Sequence, residues 1–205
     1  MEILLKSNAE KTGYLEVILG PMFSGKTTEL MRIYNRYVEC DISCVVVNHK
    51  NDQERWNDKG EMSTHNGAKC PCIYVNKLAE TLQVVDKYDI FLINEGQFFE
   101  DLYDIVNILV NMHKKKLYIC GLDGDFKRRK FGKILDIIPL SDNVRKLKAI
   151  CKKCKKREAI FTHRLNSKSD NQVVIGDCNM YTSLCRCCYN LVNAISPIGS
   201  PVVKT

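Results

Sequence analysis

Apolar positions along this 205-residue chain alternate between two periods. The runs Tyr14 to Leu19, Ser43 to Asn48, Asp89 to Ile93 and Leu117 to Gly121 are short, rich in β-branched residues and almost continuously apolar. Such runs predict strands buried on both faces. Between the first two, Leu30, Ile33, Tyr34, Tyr37 and Val38 recur at the spacing of one helix face, with Arg32, Asn35, Arg36 and Glu39 opposite. Leu78 to Asp86 reads as a second helix. Asp101 to His113 reads as a third, with Leu102, Ile105, Val106 and Leu109 on its core side. Asn51 to Lys69 is polar, contains Gly60 and Gly67, and predicts a long loop of the functional or mobile kind. Strand–helix alternation of this sort predicts an α/β fold, a parallel sheet with helices on both faces. Ligands of such sheets sit beyond the carboxyl ends of the strands. The segments that follow the strands, Gly20 to Thr27, Asn94-Glu95 and Leu122-Asp123-Gly124, are therefore expected to converge on one cleft.

The first of these segments carries the most specific chemistry. Gly20, Pro21, Met22, Phe23, Ser24, Gly25, Lys26 and Thr27 fit the P-loop pattern G-x-x-x-x-G-K-[ST], and they stand between a predicted strand and a predicted helix. Glycines let the backbone wrap a phosphate, and a helix N-terminus directs free N–H groups toward it. Lys26 is placed to reach the terminal phosphates and the Thr27 hydroxyl to hold magnesium. Asn94-Glu95, at another strand end, occupies the place where P-loop proteins carry an acidic group toward magnesium. Glu95 is the candidate general base toward an acceptor hydroxyl. Gln97, Phe98 and Phe99, with Asp125 and Phe126, bring aromatic faces and polar groups to the same cleft, as a nucleobase pocket needs.

Composition changes near residue 145, where the chain becomes rich in cysteine and lysine with little helical periodicity. This divides the chain into an α/β domain over 1–145, a small module over 146–193 and a flexible tail over 194–205. Within the module, Cys151 and Cys154 form one C-x-x-C unit, and Cys185 and Cys188 form another. Four thiolates in two such knuckles suit a closed, structural zinc site, with Lys152, Lys153, Lys155 and Arg186 offsetting the charge. Cys187 offers an alternative ligand to Cys188; Cys188 is preferred because both knuckles then have the same spacing. The other cysteines among the eleven read mostly as small buried hydrophobes.

No apolar run approaches the roughly 18 residues of a membrane span, and Met1 to Lys11 carries charges where a signal peptide would be apolar. A cytosolic chain with no membrane partner is expected. The net charge of +7 clusters in Lys114 to Lys116, Lys127 to Lys130 and Arg145 to Arg157. It allows nucleic acid or phosphate-rich nucleotides as partners. One P-loop in a chain this short leaves little room for helicase machinery, which disfavours a nucleic-acid-dependent ATPase.

The motifs occur in a familiar order. Gly20 to Leu30, Glu95 to Phe99, Gly121 to Phe126 with Phe131-Gly132, Cys151-x-x-Cys154, and Tyr181 with Cys185-x-x-Cys188 resemble those of type II (cellular-type) thymidine kinases, from about Leu15 to Tyr189. The resemblance implies transfer of phosphate from ATP to the 5′-hydroxyl of thymidine, with Glu95 as base and Mg2+ accompanying ATP. It implies that Arg55, Asp52, Asn94 and Gln97 join the P-loop in binding ATP. Met22, Phe98, Leu122, Phe126, Thr162 and Tyr181 match the thymidine pocket, and Gln172, Val173, Val174, Ile175 and Gly176 match the tethered loop that reads the base. It further implies a structural Zn2+, a homotetramer, feedback inhibition by thymidine triphosphate and a cytoplasmic enzyme of DNA precursor synthesis. Three departures stand out: Asn94 replaces the usual aspartate, Gln172 stands where an apolar residue is usual, and Asp177 follows Gly176 in place of a second glycine. The first is expected to weaken magnesium handling, and the others bear on the shape of the loop.

Overall fold

The computed structural model describes residues 12–51, 60–63, 67–165, 172 and 180–193. β1 (Tyr14–Leu19), β2 (Cys44–His49), β5 (Ile73–Val75), β6 (Ile90–Ile93), β7 (Lys116–Gly121) and β8 (Asn143–Lys146) form a six-stranded sheet in the order β5-β2-β6-β7-β1-β8. Every pairing in it is parallel. The remaining short strands, β3 (Glu61–Ser63) with β4 (Lys69–Pro71), β9 (Ala149–Ile150) with β10 (Glu158–Ala159), and β11 (Phe161–Arg164) with β12 (Tyr181–Leu184), pair antiparallel.

Side chains alternate across a strand, so the continuous apolar runs supply two cores. Leu15, Val17, Leu19, Val45, Val47, Phe91, Ile93, Leu117 and Ile119 face one way. Leu78 and Val85, from a helical segment over Leu78–Lys87, cover them, together with Leu102, Ile105, Val106 and Leu109 of α2 (Leu102–Asn107). Ile18, Val46, Ile90, Leu92, Tyr118 and Cys120 face the other way, under Leu30, Met31 and Ile33 of α1 (Lys26–Val38). The protein is thus α/β, with helices on both faces of a parallel sheet. Burial of each such aliphatic side chain contributes roughly 1.5–3 kcal/mol. Glu16 interrupts the apolar run of β1. It is buried on the α1 face and accepts from Arg145 Nε at 2.6 Å, so its charge is paired.

Several elements differ from their sequence patterns. Leu78–Lys87 is a 3₁₀ helix. Its start is pinned from outside: Asp101 accepts from the N–H groups of Leu78 and Ala79 at 3.0 and 2.9 Å, and Thr81 Oγ1 turns back to the Leu78 carbonyl at 2.7 Å. The third helix is α-helical only over Leu102–Asn107 and continues as a π-helical stretch, Ile108–Met112. The long polar loop contains the β3–β4 hairpin; its 52–59 portion, the N-terminal 1–11 and the tail 194–205 lie outside the described residues.

Beyond β8 the chain stays tied to β1 through Leu147 N–H to the Leu19 carbonyl at 2.8 Å. The short hairpins that follow carry a helix the periodicity did not announce, α3 (Arg186–Val192), which begins at the second cysteine knuckle. The core there is Ala149, Cys151, Ala159, Leu184, Cys185, Cys188 and Tyr189. Three of those seven are cysteines of the paired knuckles, so the apolar part alone is too small to hold the segment.

Candidate active site

Strands β2, β6, β7 and β1 are consecutive in the sheet, so the segments after their carboxyl ends are neighbours. The loop after β1 leads into α1 with Gly25 at the cap in a left-handed conformation, φ 83°. Phe23 adopts the same region without being glycine, φ 64°. It is held there from the cysteine-rich segment: its ring packs against that core, and Lys152 Nζ lies 3.6 Å from the ring centroid. Within the loop the Pro21 carbonyl accepts from Ser24 Oγ at 2.8 Å and from Lys26 Nζ at 2.9 Å. Met22 N–H donates to Thr162 Oγ1 at 3.0 Å, which fixes the loop to β11.

Lys26 is buried. Burial lowers the pKa of its ammonium, and the charge of Glu95, with weaker contributions from Cys120 and Asp123, opposes this. An anion beside Lys26 would replace the lost hydration. Thr27 Oγ1 stands 3.5 Å from Asn94 Oδ1.

Glu95, directly after β6, is left-handed at φ 50°, and its carboxylate accepts from Gln97 Nε2 at 2.5 Å. Gln97 Oε1 in turn accepts from Leu122 N–H at 3.0 Å, binding this turn to the one after β7. Gly121 makes room for the bridge, since a Cβ there would stand 2.3 Å from Gln97 Oε1. The side chain of Gln97 is thereby engaged with Glu95 and Leu122.

Phe98 is half-buried between His49 and Phe131, with ring centroids at 5.8 and 5.6 Å, whereas Phe99 is wholly core. Phe126 lies under Arg164, whose guanidinium carbon is 3.7 Å from the ring centroid. Arg164 also donates to Tyr181 Oη at 3.0 Å and to the Gln172 carbonyl at 3.3 Å. The Gln172 side chain donates to Asp125 Oδ2 at 2.9 Å and to the Lys130 carbonyl at 3.0 Å. Asp125 Oδ1 holds its own turn through the N–H groups of Lys127 and Arg129, each at 2.8 Å. Phe126, Gln172 and Tyr181 are thus brought together around Arg164, while Thr162 meets Met22; Asp52, Arg55 and Val173 to Gly176 lie outside the described residues.

Arg164 and Asn48 were not among the expected site residues. Arg164 lies two positions after Thr162 on β11, so strand alternation puts both on one face. Asn48 is the first polar residue to interrupt the apolar run of β2. Each signal was readable, though neither names a role.

The sulfurs of Cys151, Cys154, Cys185 and Cys188 lie within 4.8 Å of one another, and Cys187 is exposed outside the cluster. Zinc–sulfur bonds of about 2.3 Å in a tetrahedron set sulfurs about 3.8 Å apart, and Cys154 and Cys185 stand at 4.0 Å. Burial raises the Cys151 thiol, but backbone hydrogen bonds from Cys154, Cys185 and Lys153 outweigh it and bring the pKa to about 6. The cluster could hold a metal ion, and of the two pairings considered it is Cys188 that takes part.

Among the described residues, no helix is long and apolar enough to cross a membrane. Residues 13–189 match the family described as thymidine kinase. A thymidine kinase of Monkeypox virus is 38% identical over 177 residues, covering 86% of this chain and 97% of the relative. One of Variola virus (isolate Human/India/Ind3/1967) has the same identity and coverage. One of Vaccinia virus (strain Western Reserve) is 37% identical over an equal span. With the match extending across the loop after β1, Asn94-Glu95 and the cysteine cluster alike, this chain belongs to the thymidine kinase family.

Proposed function

We propose that the chain transfers the γ-phosphate of ATP to the 5′-hydroxyl of thymidine, giving ADP and thymidine 5′-phosphate. The observation that carries this reading is family membership over nearly the whole chain, in a protein whose Gly20–Thr27 loop and Glu95 sit at adjacent strand ends. In this reading the loop is a P-loop. Its amides and Lys26 bind the ATP phosphates, where the ammonium gains the anionic partner that its burial calls for. Magnesium, bound with ATP, neutralises charge on the transferring phosphate, and Thr27 and Asn94 are the residues that would hold it. Glu95 orients the 5′-hydroxyl and takes its proton. The bond to Gln97 aims the carboxylate, and the left-handed backbone at 95 lifts it out of the sheet line. Asp52 and Arg55 belong with the ATP phosphates.

Met22, Phe98, Leu122, Phe126, Thr162 and Tyr181 bound the nucleoside, with the 172–176 segment over the base. Cys151, Cys154, Cys185 and Cys188 would hold one structural zinc, leaving no ligand position open for chemistry. The division into a nucleotide-binding domain over 1–145 and a zinc-binding module over 146–193 belongs to the same reading. So do a cytoplasmic homotetramer and inhibition by thymidine triphosphate. The deciding experiment is ADP release from ATP and magnesium across a panel of nucleosides. Release dependent on thymidine, with deoxyuridine weaker, is expected. Release stimulated by DNA and indifferent to thymidine would overturn the proposal.

A further inference from the structure

We propose that Asn48 is a positioning residue of the phosphate-transfer site: it orients the Asn94 amide so that oxygen, not nitrogen, faces Thr27. The inference rests on the reading above, in which Asn94 and Thr27 hold the magnesium that accompanies ATP.

The pairing follows from the sheet. Val47 and Ile93 are register partners on β2 and β6, and Asn94 N–H donates to the Val47 carbonyl at 2.9 Å. Asn48, still within β2, and Asn94, directly after β6, therefore stand side by side, 0% and 3% exposed. Asn94 Nδ2 donates to Asn48 Oδ1 at 3.2 Å.

An amide can be turned end for end, so its orientation depends on an outside reference. Here the reference is backbone. Asn48 Oδ1 also accepts from His49 N–H at 3.1 Å, and a peptide N–H can only donate. That makes the near end of Asn48 an acceptor, which makes the near end of Asn94 a donor. The far end of Asn94 is then Oδ1, and it meets two more hydrogen-bearing groups, Thr27 Oγ1 at 3.5 Å and Cys120 Sγ at 3.1 Å. Donor and acceptor roles run unbroken from the main chain of β2 to the first turn of α1. A metal-bound water presents hydrogens outward, so an oxygen at this point is the group that can receive it; an NH2 group would repel it.

The pair is also uncharged. Neither side chain needs a buried counter-ion, as a carboxylate at 94 would. A carboxylate there would turn an oxygen toward Asn48 Oδ1, which cannot rotate away without abandoning His49 N–H. The amide at 94 and the amide at 48 thus form one unit.

The test is the coupling between magnesium and ATP, measured by calorimetry as the ratio of ATP affinities with and without magnesium. Asn48→Leu removes the reference acceptor and is expected to shrink that ratio about tenfold, the effect of one lost or reversed hydrogen bond. Metal-free ATP affinity should change much less. If Asn48→Leu does not fold, Asn48→Ser, too short to reach Asn94, is read the same way. A ratio equal to that of the unaltered chain in whichever of these two is folded overturns the inference. Because the readout needs no thymidine, it is separate from the activity assay. Thymidine-dependent ADP release with an unmoved ratio defeats the inference alone, and an unaltered chain that does not bind ATP with magnesium defeats both.

Discussion

Glu95 stands directly after the buried strand β6 at φ 50°, a region that costs a non-glycine residue of order 1 kcal/mol or more. The surrounding bonds hold it there. Its carboxylate takes Gln97 Nε2, and Gln97 is fixed in turn by Leu122 N–H. An aimed carboxylate is expected to matter more for turnover than for binding. Glu95→Gln should lower kcat by roughly 10²–10⁴ while changing thymidine affinity little. Steady-state kinetics beside equilibrium binding decide this, and near-unaltered turnover would remove Glu95 from the base role. The identity of Glu95 as a candidate was readable from its place after an apolar run. Its conformation was not, because Gln97, which holds it, is itself fixed by Leu122 N–H at a different strand end.

At the scale of elements, the first turns of α1 are fastened on two sides, to β11 and to β8. The loop before it is pinned through Met22 to β11, and Glu29 ties it to β8 by accepting from Arg145 at 2.8 Å as well as from Arg32 at 2.7 Å. The hydrogen bond from Arg32 leads, with Arg145 adding to it, and together they draw the Glu29 carboxyl from 4.5 down to about 2. A carboxyl depressed in the folded state gives stability that is present above about pH 4.5 and is lost as pH falls toward about 2. Glu29→Gln should therefore be less stable than the unaltered chain at pH 7, with the two converging in acid. Urea unfolding at several pH values reads this directly, and a difference independent of pH would show the ion pairs to be incidental. The central strands and α1 were legible because each carries its own period. Edge strands β5 and β8 were not: three and four residues long, they are strands because β2 and β1 offer them hydrogen-bonding partners. The 3₁₀ geometry of Leu78–Lys87 likewise depends on Asp101, more than twenty residues away in the chain.

Over the whole molecule, the cysteine-rich segment does more than close on itself. It supports Phe23 through Lys152 and receives Met22 on Thr162, so its order is transmitted to the Gly20–Thr27 loop. One zinc per chain is expected from elemental analysis. Its removal by chelation should unfold the segment, since structural zinc contributes on the order of 10 kcal/mol. Cys151→Ser should abolish metal uptake, whereas Cys187→Ser should retain it. Retention of full metal content by Cys151→Ser would remove Cys151 from the metal ligands.

What the sequence by itself determined is whatever is encoded within a few residues: the phosphate-loop pattern between a strand and a helix, the two cysteine knuckles, and the alternation that requires a parallel sheet. Tertiary structure decided everything that depends on strand order. It set Asn48 beside Asn94, forty-six positions apart, and Met22 against Thr162, 140 positions apart. It bore out the spacing-based preference for Cys188 over Cys187, placed Arg164 on the face of Phe126, and turned the Gln172 side chain to Asp125. The physical reason is range. Periodicity and turn chemistry act along the chain, whereas donors and acceptors that meet across a sheet are partners only after hydrophobic burial has set which strands are neighbours.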